Sequence, residues 1–159
     1  MKTLSILKLG GSVLFCMSAG AVSSLYTLKA IPDWYATLNK PSFTPPSWTF
    51  GPVWSVLYVM MGIAAWQVWS KGLKERAVRK ALVFFLIQLV LNTAWSFLFF
   101  GLRSPILGLV DILLLWLAIL ITINLFFKVS LIAAVLLIPY LFWVTFASGL
   151  NLGIVLLNP

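Results

Sequence analysis

The sequence predicts an all-α integral membrane protein, a bundle of five transmembrane helices with a structured first loop over an internal cavity. Three observations predict it. Only 9% of the 159 residues are charged and 62% are hydrophobic, whereas soluble domains carry about 25% charged residues, so the chain cannot solvate an ordinary surface. Five apolar runs each approach the ~20 residues that a helix needs to cross a hydrocarbon core of ~30 Å. Between the first two runs lies WYATLNKPSFTPPSW (34–48), which stiffens the chain with Pro41, Pro45 and Pro46 and studs it with aromatic rings.

The predicted spans are 5–28, 52–70, 81–102, 106–127 and 131–155, within a single domain over 1–159. The first run has two readings. Lys2, an apolar stretch and the small residues Ala19, Gly20 and Ala21 fit a cleaved signal peptide, with 1–21 removed. The apolar run continues to Leu28, however, which favours an uncleaved helix. Its small residues Ser12, Cys16, Gly20 and Ser24 recur every fourth position, a spacing that lets helices approach closely in lipid. The second span follows the long connection 29–51. The turns after the third and fourth spans are very short, so the third, fourth and fifth helices should be sequential antiparallel neighbours.

The net charge of +8 does not point to nucleic acid, because the basic residues sit at the ends of the apolar runs. Lys2, Lys8, Lys71, Lys74, Arg76, Arg79, Lys80 and Lys128 fall on one side, and Lys29, Lys40 and Arg103 on the other. The positive-inside rule places the N-terminus in the cytoplasm and the C-terminus outside, with the proline-rich loop. A lone cysteine, Cys16, allows no internal disulfide. The absence of histidine excludes Ser-His-Asp catalysis and histidine-held metal or haem, and neither a metal nor any other cofactor is expected.

Helical spacing puts Trp54, Tyr58 and Met61 on one face of the second span, and Gln88, Asn92, Trp95, Ser96 and Phe99 on one face of the third. In the fifth it aligns Pro139, Trp143, Ala147, Leu150 and Asn151. Such stripes commonly form bundle core, and tryptophans near helix ends form interfacial belts. Trp66 and Trp69 fit a belt. Trp95 and Trp143 lie roughly 10 Å and 18 Å below the helix ends at ~1.5 Å per residue, too deep for one. Gln88 and Asn92 need partners or a cavity in hydrocarbon. Asp111, the one acid well inside a span, is a candidate polar site. A structural role, near water or paired with Arg103 or a facing polar group, weighs more. Pro139 predicts a kink that widens the bundle beside Trp143. An aromatic-lined pocket with few polar groups, covered by a loop, suits a flat apolar ligand. Trp34, Phe43 and Trp48 are expected to float at the headgroup level, as an interface belt would.

These residues resemble the TspO family of tryptophan-rich sensory proteins and translocator proteins over nearly the whole chain. The similarity is carried by WYATLNKPSFTPPSW, then GPVW at 51–54 and LY at 57–58. QLVLNTAWSFLFFGLR at 88–103, VD at 110–111 and IPYLFWVTFASGLN at 138–151 complete it. The resemblance implies a five-helix bundle, a homodimer in a prokaryotic cell membrane, and a cavity under the first loop for porphyrins or other tetrapyrroles. It implies ligand contacts from Tyr35, Pro45, Trp54, Tyr58, Asn92, Trp95, Trp143 and Ala147, to which the shared face of the third span adds Phe99. It also implies, as an alternative activity, light-dependent porphyrin breakdown through Trp54 and Trp143. Leu152 replaces the tyrosine of the animal cholesterol motif and no basic residue follows Lys128, which argues against specific cholesterol binding. Phe43 and Thr44 stand where many members have tryptophan and, in animals, histidine, which bears on how the loop meets a tetrapyrrole. Three readings follow: a tetrapyrrole-binding receptor or sensor, a photochemical degrader, and a transporter using Asp111 as a proton site. Lipid is a partner in each. The first is adopted, and sparse charge within the spans argues against the third.

Overall fold

A computed structural model describes residues 2–159, with side chains from residue 5 onward. The side chain of Lys2, counted above among the charges of the first side, lies outside the described residues. The chain forms α1 (Lys2–Ala30), α2 (Trp34–Thr37), α3 (Phe50–Trp69), α4 (Arg76–Ser96), α5 (Pro105–Phe127), α6 (Leu131–Leu136) and α7 (Ile138–Leu157). A 3₁₀ turn at Ser47–Thr49 leads into α3, and a π-helical turn at Phe97–Gly101 extends α4. Among the described residues, five segments are long and apolar enough to cross a membrane: Ser5–Ala30, Ser47–Trp69, Arg76–Gly101, Pro105–Phe127 and Leu131–Leu157.

Several boundaries differ from those the sequence predicts, each for a local reason. The third span starts at Arg76, not 81, because Arg76, Arg79 and Lys80 can carry their stems along the helix while the charges reach water. The Arg79 guanidinium donates to the carbonyls of Leu73 (2.9 Å) and Lys74 (2.8 Å), fastening the turn that precedes the helix. Gly72 supplies the positive φ (105°) within that turn, a conformation that glycine adopts without steric cost. The fifth span is broken at Leu137, between α6 and α7. Pro139 falls in the first turn of α7, where its missing N–H leaves no gap in a helix ladder. Ser104 and Ser130 cap α5 and α6 by accepting from the Leu107 and Ala133 amides, as serine does at helix starts.

The spans close into a ring. α1 packs on α3, α3 on α6, the fifth span on α5, α5 on α4, and α4 back on α1. Glycines set the closest approach: a Cβ on Gly62 would lie 2.5 Å from the Val13 Cα, and one on Gly20 would overlap the Tyr58 ring. α3 packs closely on α6 but only sparsely on α7. The bundle is therefore tight at its lysine-rich end and splayed at the other. There the 29–51 connection caps it, and the cavity opens.

Candidate ligand cavity

The splayed end encloses a cavity of about 500 Å³, within the range of small-molecule sites. Its α4 wall exists because the chain departs from the α-helix. The Leu102 amide bonds the Phe97 carbonyl at 2.8 Å, five residues back, and this wider turn packs Phe99 and Phe100 in the core beneath the loop. π-turns of this kind recur at functional sites. Trp95 stacks on Phe99 (centroids 5.1 Å apart) and Phe100 meets both rings edge-on. The short helix α2 lowers Trp34 and Tyr35 onto the same cluster, at 5.6 Å from Phe99 and 5.6 Å from Phe100 respectively. Burial pushes the Tyr35 phenol above its ordinary pKa, and the Lys40 ammonium lies 4.8 Å over its ring, a favourable cation–π placement.

The polar groups of the cavity are mostly committed to one another. The Tyr58 hydroxyl donates to Asn92 Oδ1. Asn92 Nδ2 donates to the Tyr140 hydroxyl (3.1 Å), which donates to Gln88 Oε1 (2.9 Å). Gln88 Nε2 ends the chain at Met61 Sδ, 4.0 Å away. A second pair, Trp95 Nε1 to Asn151 Oδ1 (3.1 Å) and Asn151 Nδ2 to the Pro105 carbonyl (2.8 Å), ties α4 to α7 and α5. Buried amides and phenols in hydrocarbon need such partners, and these leave a predominantly apolar surface facing the space.

The loop is fastened on one side. Asp33 pairs with Arg103 at 2.8 Å. The Asn39 amide donates to Asn158 Oδ1 (3.0 Å), and Asn158 Nδ2 donates back to the Asn39 carbonyl (2.9 Å). Pro41 sits against Gly153, where any Cβ would overlap its ring.

Of the residues singled out from sequence, Tyr35, Trp54, Tyr58, Asn92, Trp95, Phe99 and Ala147 line this cavity. Trp143 and Pro45 do not. Trp143 lines a separate space of about 20 Å³ with Phe50, Trp54 and Trp95. Its indole packs on Phe50 and Phe146 at 5.8 Å and 5.6 Å, and its buried Nε1 has no partner among the described residues. Pro45 lies outside both spaces because the 3₁₀ turn brings Ser47, Trp48 and Phe50 to the rim instead. Trp34, expected at the headgroup level, packs inward, while Phe43 and Trp48 remain exposed. Asp111 lines neither space. It is buried with Oδ2 unpartnered among the described residues, and Arg103, one of the partners open to it from sequence, is held by Asp33. Residues of α1 are the main addition: Gly20, Ala21, Ser23, Ser24 and Thr27 form a cavity wall, where spacing had suggested helix packing. The signal was the density of hydroxyls along that ridge.

The profile of the TspO/MBR family matches residues 12–157. The chain belongs to this family. It is 48% identical to the tryptophan-rich protein TspO of Chlorobaculum tepidum, over 97% of this chain and 98% of that one. Identity to the tryptophan-rich protein TspO of Archaeoglobus fulgidus is 45%, over 98% and 99% of the two chains. The human translocator protein is 46% identical over 74% of this chain and 70% of its own. This TspO-family chain is thus a multi-pass membrane protein, and every cavity residue named above falls within the matched segment.

Proposed function

We propose that this protein is a membrane receptor or sensor that holds a flat apolar ring system, of the tetrapyrrole class, in the 500 Å³ cavity. The observation that carries this reading is the aromatic lining: Trp54, Trp95, Phe99 and Tyr35 surround a space whose amides are already paired. Flat rings gain from offset and edge-on contact with such side chains, and a site without free charge discriminates by shape. The names of the relatives, tryptophan-rich sensory protein among them, support a sensing role. The lysine-rich end belongs in the cytoplasm by the positive-inside rule, which puts the fastened loop outside. Light-dependent chemistry through paired tryptophans finds less support, because Trp54 borders the cavity and Trp143 does not.

The reading is tested by titrating detergent-solubilised protein with protoporphyrin, following the Soret band and tryptophan quenching. Saturable binding of one ring per chain is expected, weakened roughly two- to tenfold by Trp95→Leu, the loss of about 0.5–1.5 kcal/mol that one aromatic pair contributes. Non-saturating uptake that matches empty micelles would exclude the cavity as the site.

A further inference from the structure

The walls of the cavity are not equally covered. On α4 and α7, Asn92, Ser96, Phe99, Ala147 and Asn151 are buried, and Trp95 is half-buried. The exposed lining residues lie on α1 and at the start of α3: Ala21 and Leu28 on one side, and Ser47, Trp48, Gly51 and Ser55 on the other. Leu28 is 68% and Trp48 74% exposed. These residues border the open side of the cavity, a slot between two helices long and apolar enough to cross a membrane.

The slot has defined ends. Below it α1 and α3 touch, through Gly62 against the Val13 backbone and Gly20 against the Tyr58 ring. Its upper end is marked by Leu28 and Trp48. Its edges are small, Ala21 and Ser24 on α1 and Gly51 and Ser55 on α3, and a Cβ built on Gly51 meets open space. The hydroxyls on those edges turn back onto their own helices, Ser24 to the Ala21 carbonyl at 2.7 Å and Ser55 to the Gly51 carbonyl at 2.9 Å. The slot therefore presents little uncommitted polarity to lipid. The other route, upward to water, is covered by the loop, which Asp33–Arg103, Asn39–Asn158 and Pro41–Gly153 fasten to the far side of the bundle.

Resting on the reading of the cavity as a ligand site, we propose that the ligand enters and leaves sideways, from the bilayer, through the slot between α1 and α3. Ala21, Ser24, Gly51 and Ser55 then set the size of what passes, and the ligand class narrows to molecules that partition into hydrocarbon.

The test places the protein in phosphatidylcholine vesicles and mixes them with vesicles preloaded with protoporphyrin. Exchange is followed by porphyrin fluorescence in wild type, Ala21→Phe, Gly51→Phe and Asn158→Ala. Each phenylalanine, on a different helix and at an exposed position, is expected to slow association and dissociation together by about tenfold, the effect of a barrier raised by about 1.4 kcal/mol. Asn158→Ala, which removes one of the loop's three fastenings, is expected to leave both rates near wild type. The wild-type association rate should follow the mole fraction of porphyrin in the membrane. If both phenylalanine variants exchange at wild-type rates while Asn158→Ala accelerates exchange, the route runs past the loop and the proposal fails. Faster dissociation with unchanged association would make the slot residues wall contacts and overturn it as well. Absence of saturable binding to the wild type would remove the cavity reading itself, an outcome distinct from a rerouted ligand.

Discussion

Asn92 holds two tyrosines at once: it accepts from the Tyr58 hydroxyl through Oδ1 and donates through Nδ2 to the Tyr140 hydroxyl at 3.1 Å. One amide on α4 thereby ties α3 to α7 across the middle of the ring. The amide is at once a structural partner and a cavity group.

Replacing Asn92 by leucine leaves the Tyr58 hydroxyl without its acceptor and takes a donor from the Tyr140 hydroxyl, which still donates to Gln88, while Tyr58→Phe removes one donor and leaves only an acceptor lone pair short of a partner. Orphaned buried groups cost about 1–3 kcal/mol, and interhelical hydrogen bonds in membranes average about 0.6 kcal/mol. Thermal unfolding in detergent should therefore rank Asn92→Leu as clearly destabilised and Tyr58→Phe as mildly so. Equal midpoints for the two variants would contradict the chain.

Gly62→Ala should separate α1 from α3, because the new Cβ would meet the Val13 backbone rather than a movable side-chain tip. Overpacking of this kind costs about 1–3 kcal/mol. Gly10→Ala, on the same two-helix unit but in open space, should be neutral or slightly stabilising, since alanine is favoured over glycine in a helix by about 1 kcal/mol. The paired unfolding midpoints check this.

Trp143→Phe and Trp54→Phe should differ in ligand affinity even though sequence resemblance pairs them. Trp54 borders the cavity and Trp143 only the small space behind it. Protoporphyrin titration should show a larger loss for Trp54→Phe, with Trp143→Phe near wild type. The reverse order would move the ring into the smaller space.

Arg103→Ala should cost little. The pair with Asp33 is well exposed, 57% and 67%, and exposed ion pairs contribute about 0–1 kcal/mol and are screened by salt. Any loss of stability seen at low salt should shrink on adding salt; a loss that persists would assign Arg103 a further role.

The five spans were legible because hydropathy reports directly on burial in lipid. The start of α4 at Arg76 was not, since charged residues with long apolar stems extend a helix past the hydrocarbon without registering as apolar. The π-turn at Phe97–Gly101 was equally hidden: one carbonyl displaced by a residue leaves no compositional mark, yet it decides where Phe99 and Phe100 face. In the loop, residue type gave the aromatic content but not the direction. Trp34 turns inward because α2 lies over Phe99, and Pro45 stays out because the turn at Ser47 places its neighbours on the rim. Trp143 shared a helical stripe with Ala147, but a stripe is wide enough for one member to face a different space.

A structure of the protein crystallised from lipid with protoporphyrin tests the central claim most directly. The account predicts one macrocycle inside the bundle, against Trp54, Trp95 and Phe99 and beneath Tyr35. A ring found only on the outer, lipid-facing surface, with the cavity free of porphyrin, would contradict it.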